Sequence, residues 1–321
     1  MVLGIVAREL TYEWRVQNGK RRFMGSWSDN AHVCEVMRCT GIIKHLQIER
    51  FAASARESEQ FEMLEFMQGF RSSQQKGSSA QEHSAQNLAE YFVNCFKRLG
   101  LELTRQAEGD MIELIGEVMD NAERHSGRNE WWAQAYFDQH ESPDHGMCHV
   151  AIVSLGSTFA ESLRNGQNAE ETRRRIDELI NAHKRGEWFG LREPLTEESL
   201  LTFYALQDGV SCTTKPGAGS GTVRLIEHFQ QLSRPDSEGI GPLMTVISGS
   251  TQILFDRVYR MQEVDGRKII TFNAANSLEE PPSANNVRRL RFCFPGSLIA
   301  LRFHMERSYL QQLETLFRDK D

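Results

Sequence analysis

Apolar residues recur at helical spacing from Met111 to Gly127. Met111, Ile112, Leu114, Ile115, Val118, Met119 and Ala122 mark one side of an amphipathic helix that would face a core. On its other side Glu113, Glu117 and Asn121 repeat at i, i+4 and i+8 and line a polar stripe. Leu88, Tyr91, Phe92, Cys95, Phe96 and Leu99 predict a preceding helix over 88–99 that stops at Gly100. Trp131–Phe137 and His149–Leu155 read as two strands of a hairpin, joined by the polar loop Gln139–Gly146. Further helices are predicted over Ala169–His183, from an N-capping Thr196 with Glu197 and Glu198 in its first turn to Asp208-Gly209, and over Thr222–Leu232. Val223, Leu225, Ile226 and Phe229 form the apolar face of the last. Strands follow at Leu243–Ser248, Gln252–Met261 and Lys268–Asn273, the latter two turning around Asp265-Gly266. A loop over 274–288, a closing strand at Leu298–His304 and a helix over Glu306–Arg318 complete the pattern.

The first 80 residues read differently. Asn18-Gly19 between Tyr12–Val16 and Arg22–Trp27 is a hairpin signal, and His32–Met37 reads as a further strand. Ile48–Phe70 follows a helical pattern through Phe51, Phe61, Leu64, Phe66 and Met67. Arg71–Ser84 is Ser- and Gln-rich without apolar anchors, so it reads as a connection between domains. The expected organisation is a small N-terminal α+β region of unassigned role over 1–80 and a larger domain over 81–321. No internal repeat is visible.

Composition narrows the class. A chain of 321 residues with 40% hydrophobic and 25% charged residues is that of an ordinary globular protein. Its net charge of −7 argues against a general affinity for nucleic acid or anionic membrane. Cys34, Cys39, Cys95, Cys148, Cys212 and Cys293 form no CxxC pair, and with no secretory signal at the start they read as reduced thiols of a cytoplasmic protein. No apolar run reaches the length of a membrane span.

Two stretches carry candidate chemistry. A carboxylate and an amide one helical turn apart, Glu117 and Asn121, can divide work between a water and a metal's hydration shell. A hundred residues on, Thr213-Thr214-Lys215-Pro216-Gly217-Ala218-Gly219-Ser220-Gly221 ends where a helix begins, so its backbone N–H groups form an anion site. The run is not a Walker loop, because GxxxxGK[ST] is absent, and it follows a helix rather than a first strand, unlike a dinucleotide fingerprint. Singly, each is an ordinary feature: a solvated helix face, a turn.

Together, in this order, Glu117-Val118-Met119-Asp120-Asn121-Ala122 and the glycine run resemble the N box and G2 box of the GHKL ATPases (gyrase, Hsp90, histidine kinase, MutL), the latter most closely in its histidine-kinase form. Val150–Thr158 sits where that superfamily has its D-x-G-x-G box, and Phe294-Pro295-Gly296-Ser297 resembles the lead-in to its last strand. The likeness covers roughly residues 85–305. It implies an α+β two-layer sandwich of the Bergerat type, a mixed sheet with helices on one face, and a nucleotide lid over about 157–216. It also implies ATP and Mg²⁺ as ligands. Glu117 would be the general base, Asn121 the Mg²⁺ ligand, and Ser154, Gly156, Thr214, Lys215, Gly217, Gly219, Ser220, Gly221 and Ser297 would contact nucleotide. Lys215 is open between a phosphate contact and a solvated side chain.

One departure matters. Where the superfamily has an aspartate that accepts the adenine amino group, this chain has Ser154. The implied function is a slowly hydrolysing Mg-ATPase whose lid ordering changes contacts with a protein partner or a second copy. Two alternatives stay open: a protein kinase of the histidine-kinase or anti-sigma-factor type, which lacks its usual phosphoacceptor helix here, and a degenerate nucleotide-binding interaction module without turnover, which Ser154 favours.

Overall fold

The alternating residues of 131–137 and 149–155 pair as the pattern predicts, and the remaining strands assemble around them. A computed structural model describes residues 29–39, 61–70, 79–125, 130–139, 142–166, 170–186, 195–210, 221–231, 242–256, 258–264 and 266–318 of the chain. In order the elements are α1 (Ala31–Cys39), β1 (Phe61–Phe70), α2 (Ser79–Arg98), α3 (Arg105–His125), β2 (Glu130–Asp138), β3 (His145–Leu155), α4 (Phe159–Asn165) and α5 (Glu170–Gly186). There follow α6 (Glu197–Tyr204), α7 (Gly221–Gln231), β4 (Leu243–Phe255), β5 (Gln262–Val264), β6 (Arg267–Ile269), β7 (Val287–Glu306) and α8 (Arg307–Arg318). The hairpin expected at 12–27 lies outside the described residues.

The fold is α+β. One five-stranded sheet runs in the order β1-β2-β3-β7-β4, and β5 and β6 form a separate two-stranded ribbon. Every neighbouring pair in the large sheet is antiparallel, so the expected mixed sheet is corrected. The reason lies in the connections. A single crossover helix returns a chain parallel to the strand it left; between β1 and β2 there are two helices in succession, α2 and α3, and the chain comes back reversed. This arrangement is compatible with a two-layer sandwich.

One sheet face carries Leu64, Ala133, Ala135, Phe137, Cys148, Val150, Ile152, Met244, Val246, Leu301, Phe303 and Met305. Against it lie Leu88, Tyr91 and Cys95 of α2 with Leu99 just after it, Ile115, Val118 and Met119 of α3, and Ile226 and Phe229 of α7, all in one buried cluster. Burying each such side chain stabilises the fold by roughly 1.5–3 kcal/mol before entropy is charged against it. Within this core the Tyr91 hydroxyl meets Cys148 Sγ at 3.6 Å, and burial pushes the Cys148 thiol up to about 12, keeping it protonated and inert. Beyond the strand ends α4, α5 and α6 share a second cluster of Ala160, Leu163, Leu179, Leu201 and Tyr204.

Three expectations fail for identifiable reasons. Residues 31–39 are helical, not a strand: Asn30 Oδ1 accepts from Val33 N at 3.2 Å and caps the turn. Phe61–Phe70 is the edge strand β1, not the end of a helix. A register shift between Leu64 and Met67 sets those residues opposite Ala135 and Ala133 on one face, so a bulge makes a strand look helical in sequence. The sheet therefore draws on residues before the polar stretch 71–84, whose last residues from Ser79 on already belong to α2. Near the C-terminus, the two strands expected at 243–248 and 252–261 merge into β4, and the Asp265-Gly266 turn joins only the short β5 and β6. No helix among the described residues is long and apolar enough to cross a membrane.

On the second sheet face Tyr136, His149 and Arg302 lie at one register across β2, β3 and β7. The Tyr136 and His149 rings stack at 4.4 Å and 11°. Burial lowers the His149 pKa to about 4, with Arg302 adding to the shift and Asp138 opposing it. A histidine held neutral in the fold but ordinary when unfolded takes stability away as protons are added. The melting temperature is therefore expected to fall from pH 6.5 toward pH 4 and then level. His149→Gln should flatten that part of a melting-temperature profile; an unchanged slope would remove His149 as its source.

Candidate functional site

Helix α3 starts where Thr104 accepts from Ala107 N at 3.2 Å. Its apolar side, Ile115, Val118 and Met119, is buried against the sheet, which leaves Glu113 and Glu117 along its flank. Helix α7 opens at Gly221 and buries Val223, Ile226 and Phe229. The two helices lie side by side and a guanidinium joins them. Arg224 Nη1 donates to Glu113 Oε1 and to Glu117 Oε1, each at 2.9 Å. The hydrogen bond to Glu113 leads the causes that push the Arg224 pKa above its ordinary value. Glu117 Oε2 is buried with no hydrogen-bond partner among the described residues. Buried carboxylate oxygens are rarely left so.

The floor is a row of serines. Ser154 of β3 pairs in register with Ser297 of β7, which pairs with Ser248 of β4, and all three are buried. Ser248 Oγ and Ser297 Oγ lie 3.1 Å apart, and Phe159 N donates to Ser248 Oγ at 2.8 Å, fixing the start of α4 over the strand ends. That short helix carries a reciprocal cap between Thr158 and Glu161.

Gly296 makes the junction possible. Its φ is +139°, and a Cβ there would overlap the Ser154 carbonyl oxygen and the Leu155 Cα. Gly156, at φ +135°, donates its N–H to the Pro295 carbonyl at 3.0 Å. The last turn of β3 and the lead-in to the strong half of β7 are thus pinned together at the cleft.

Between these parts lies a cleft. Its walls are Val118 and Ala122 of α3 and Thr222 and Leu225 of α7; Ile152, Ser154, Ser297 and Ile299 form the floor, and Phe159 one end. The cleft holds about 410 Å³ of atom-free space, its open mouth included, and its interior is narrow. Among the described residues its polar groups are the hydroxyls of Ser154, Ser297 and Thr222, with no charged side chain in the lining.

Of the residues singled out from sequence, Ser154 and Ser297 line the cleft, Glu117 precedes cleft-lining Val118, Gly221 precedes cleft-lining Thr222, and Gly156 sits at the floor's edge. Asn121 lies in α3, but its side chain is outside the described part. Thr214, Lys215, Gly217, Gly219 and Ser220 lie outside the described residues, as do 167–169, 187–194 and 211–216 of the stretch 157–216 assigned to a lid, whose described part is α4, α5 and α6. Sequence reading missed Thr222, Leu225, Phe159, Ser248 and Arg224. Arg224 had a signal, since it is the charged residue inside the apolar pattern Val223–Ile226. Ser248 had none, because only the register sets it beside Ser297.

Comparison with family models, with curated proteins and with solved structures finds no match.

Two substitutions test the geometry. Gly296→Ala should destabilise by at least about 2 kcal/mol, through an unfavourable backbone region and overlap with β3; a melt within 1 °C of wild type would contradict that. Arg224→Met should cost only about 1 kcal/mol, since Arg224 and Glu117 each keep 30% side-chain exposure. A double-mutant cycle with Glu117→Gln checks that the pair couples at all.

Proposed function

We propose that this chain binds Mg-ATP in the α3–α7 cleft and hydrolyses it slowly, as the resemblance to GHKL ATPases implies. One observation carries the reading. Four segments that the resemblance assigns to nucleotide, far apart in sequence, supply Val118 and Ala122, Ser154, Thr222, and Ser297 to a single cleft. The order of elements also agrees: a carboxylate-bearing helix, a hairpin, an intervening stretch, a helix after the glycine run, and a returning strand.

The orphaned Glu117 Oε2 fits the role of an acceptor awaiting a water. In this reading Glu117 takes a proton from that water as its oxygen attacks the γ-phosphorus, the bond to the β–γ bridging oxygen breaks, and ADP departs. Asn121 would hold Mg²⁺ through its amide oxygen, and the ion would neutralise charge on the phosphates. Main-chain N–H groups of the run ending at Gly221, with Lys215 beside them, would cradle the phosphates. Arg224 holds Glu117 through Oε1 and leaves Oε2 to the water, while the cleft must widen to admit a base. Widening would stretch the Arg224 bridge, because the same guanidinium ties the walls together.

A second reading, a nucleotide-responsive interaction module without turnover, draws support from that same bridge, which occupies the candidate base. Phosphotransfer to protein stays a lesser alternative. Calorimetric titration and phosphate release separate them. Glu117→Gln is expected to bind Mg-ATP with wild-type affinity and to lose turnover; equal turnover would remove Glu117 as base. Wild-type binding without any phosphate release would favour the module.

The floor predicts weak base selection. Serine and threonine hydroxyls rotate to donate or accept, whereas a carboxylate only accepts. A hydrogen bond to a charged group is worth roughly 1.5–3 kcal/mol, and this site lacks one. ATP and GTP should therefore bind within about tenfold of each other, and a larger preference for either would contradict the hydroxyl floor.

A further inference from the structure

The N-terminal half of β7 is built unlike the rest of the sheet. From Ser297 to Arg302 β7 is paired on both sides, by β3 and β4. Before Gly296 its only partner among the described residues is β4, and that pairing breaks. Gly249 faces Phe294 and Thr251 faces Arg289, so Leu290–Cys293 bulge out opposite the single residue Ser250. Glu198 stabilises the β4 side of the break by accepting from Ser250 N at 3.0 Å and from the Ser250 hydroxyl.

What bulges out is basic and aromatic. Arg288, Arg289, Arg291 and Cys293 are exposed, and Phe292 is 58% exposed, one of few large apolar side chains so placed. Arg288 donates to Gln252 at 2.7 Å, while Arg289 and Arg291 make no ion pair with any described residue. In a chain of net charge −7 this is a local reversal of sign. An open strand edge with a protruding phenylalanine is a feature that proteins ordinarily suppress.

We infer that this segment is a docking edge for an extended, acidic stretch of a partner protein carrying apolar residues. The open edge supplies backbone donors and acceptors for an added strand. Arg289 and Arg291 supply charge complementarity, and Phe292 an apolar anchor. Nucleic acid would use the same cations, but the chain as a whole carries a net charge of −7, which opposes a polyanion. The edge leads through Pro295 and Gly296 directly into cleft-lining Ser297, although the inference does not depend on what the cleft binds.

The test uses the full chain and a fluorescein-labelled decapeptide of alternating Glu and Val, read by anisotropy, with oligothymidylate of equal charge beside it. Peptide binding is expected to weaken at least about tenfold in R289E/R291E and in F292S, and to weaken with salt. Hydrogen exchange should show peptide-induced protection of amides in 288–294. These side chains are exposed, so melting of F292S should stay near wild type. Several results overturn the inference: no peptide binding up to about 1 mM, binding indifferent to both variants, protection elsewhere only, or tighter binding of the oligonucleotide.

Discussion

Close contact between the end of β3 and the middle of β7 decides what this fold can do. Gly296 allows the β7 backbone to pass against the Ser154 carbonyl, and Gly156 returns a hydrogen bond to Pro295. That junction sets the register that lines up Ser154, Ser297 and Ser248. It also marks where β7 stops being a doubly paired strand and becomes the bulged, basic edge. The cleft floor and the docking edge are therefore two consequences of one crossing point.

Over that floor the two walls are held by different forces. Each helix is fixed to the sheet by burial: Ile115, Val118 and Met119 on one side, Val223, Ile226 and Phe229 on the other. Between them the tie is polar and half-exposed, through Arg224 and the carboxylates of Glu113 and Glu117. Burial of apolar side chains contributes several times more than partly solvated ion pairs. The helices should accordingly stay on the sheet while their separation varies, which a cleft that must open requires.

Much of the frame was legible in sequence because it rests on local periodicity. The helices at 105–125 and 221–231 and the hairpin 130–155 follow from apolar spacing and turn composition. What escaped depends on tertiary pairing. Leu64 and Met67 imitate a helix because a bulge puts residues three apart on one strand face. The closing strand was expected only at 298–304, yet β7 begins at Val287: Leu290, Phe292 and Phe294 alternate with Arg289, Arg291 and Cys293, and pairing with β4 makes that stretch a strand. At the site, Glu117, Ser154 and Ser297 were visible through motif resemblance. Arg224 and Ser248 were not, since their roles exist only once α7 meets α3 and β4 meets β7.

The central claim is that α3, α7 and the serine floor form one nucleotide site. Hydrogen–deuterium exchange of the full chain with and without Mg-ATP tests it most directly, because it maps contact without assuming turnover. The account predicts slowed exchange together at 118–122, 154–156, 221–225 and 297–299, the segments that wall and floor the cleft. Exchange unchanged in these four segments at saturating Mg-ATP, or slowed only outside them, would contradict it.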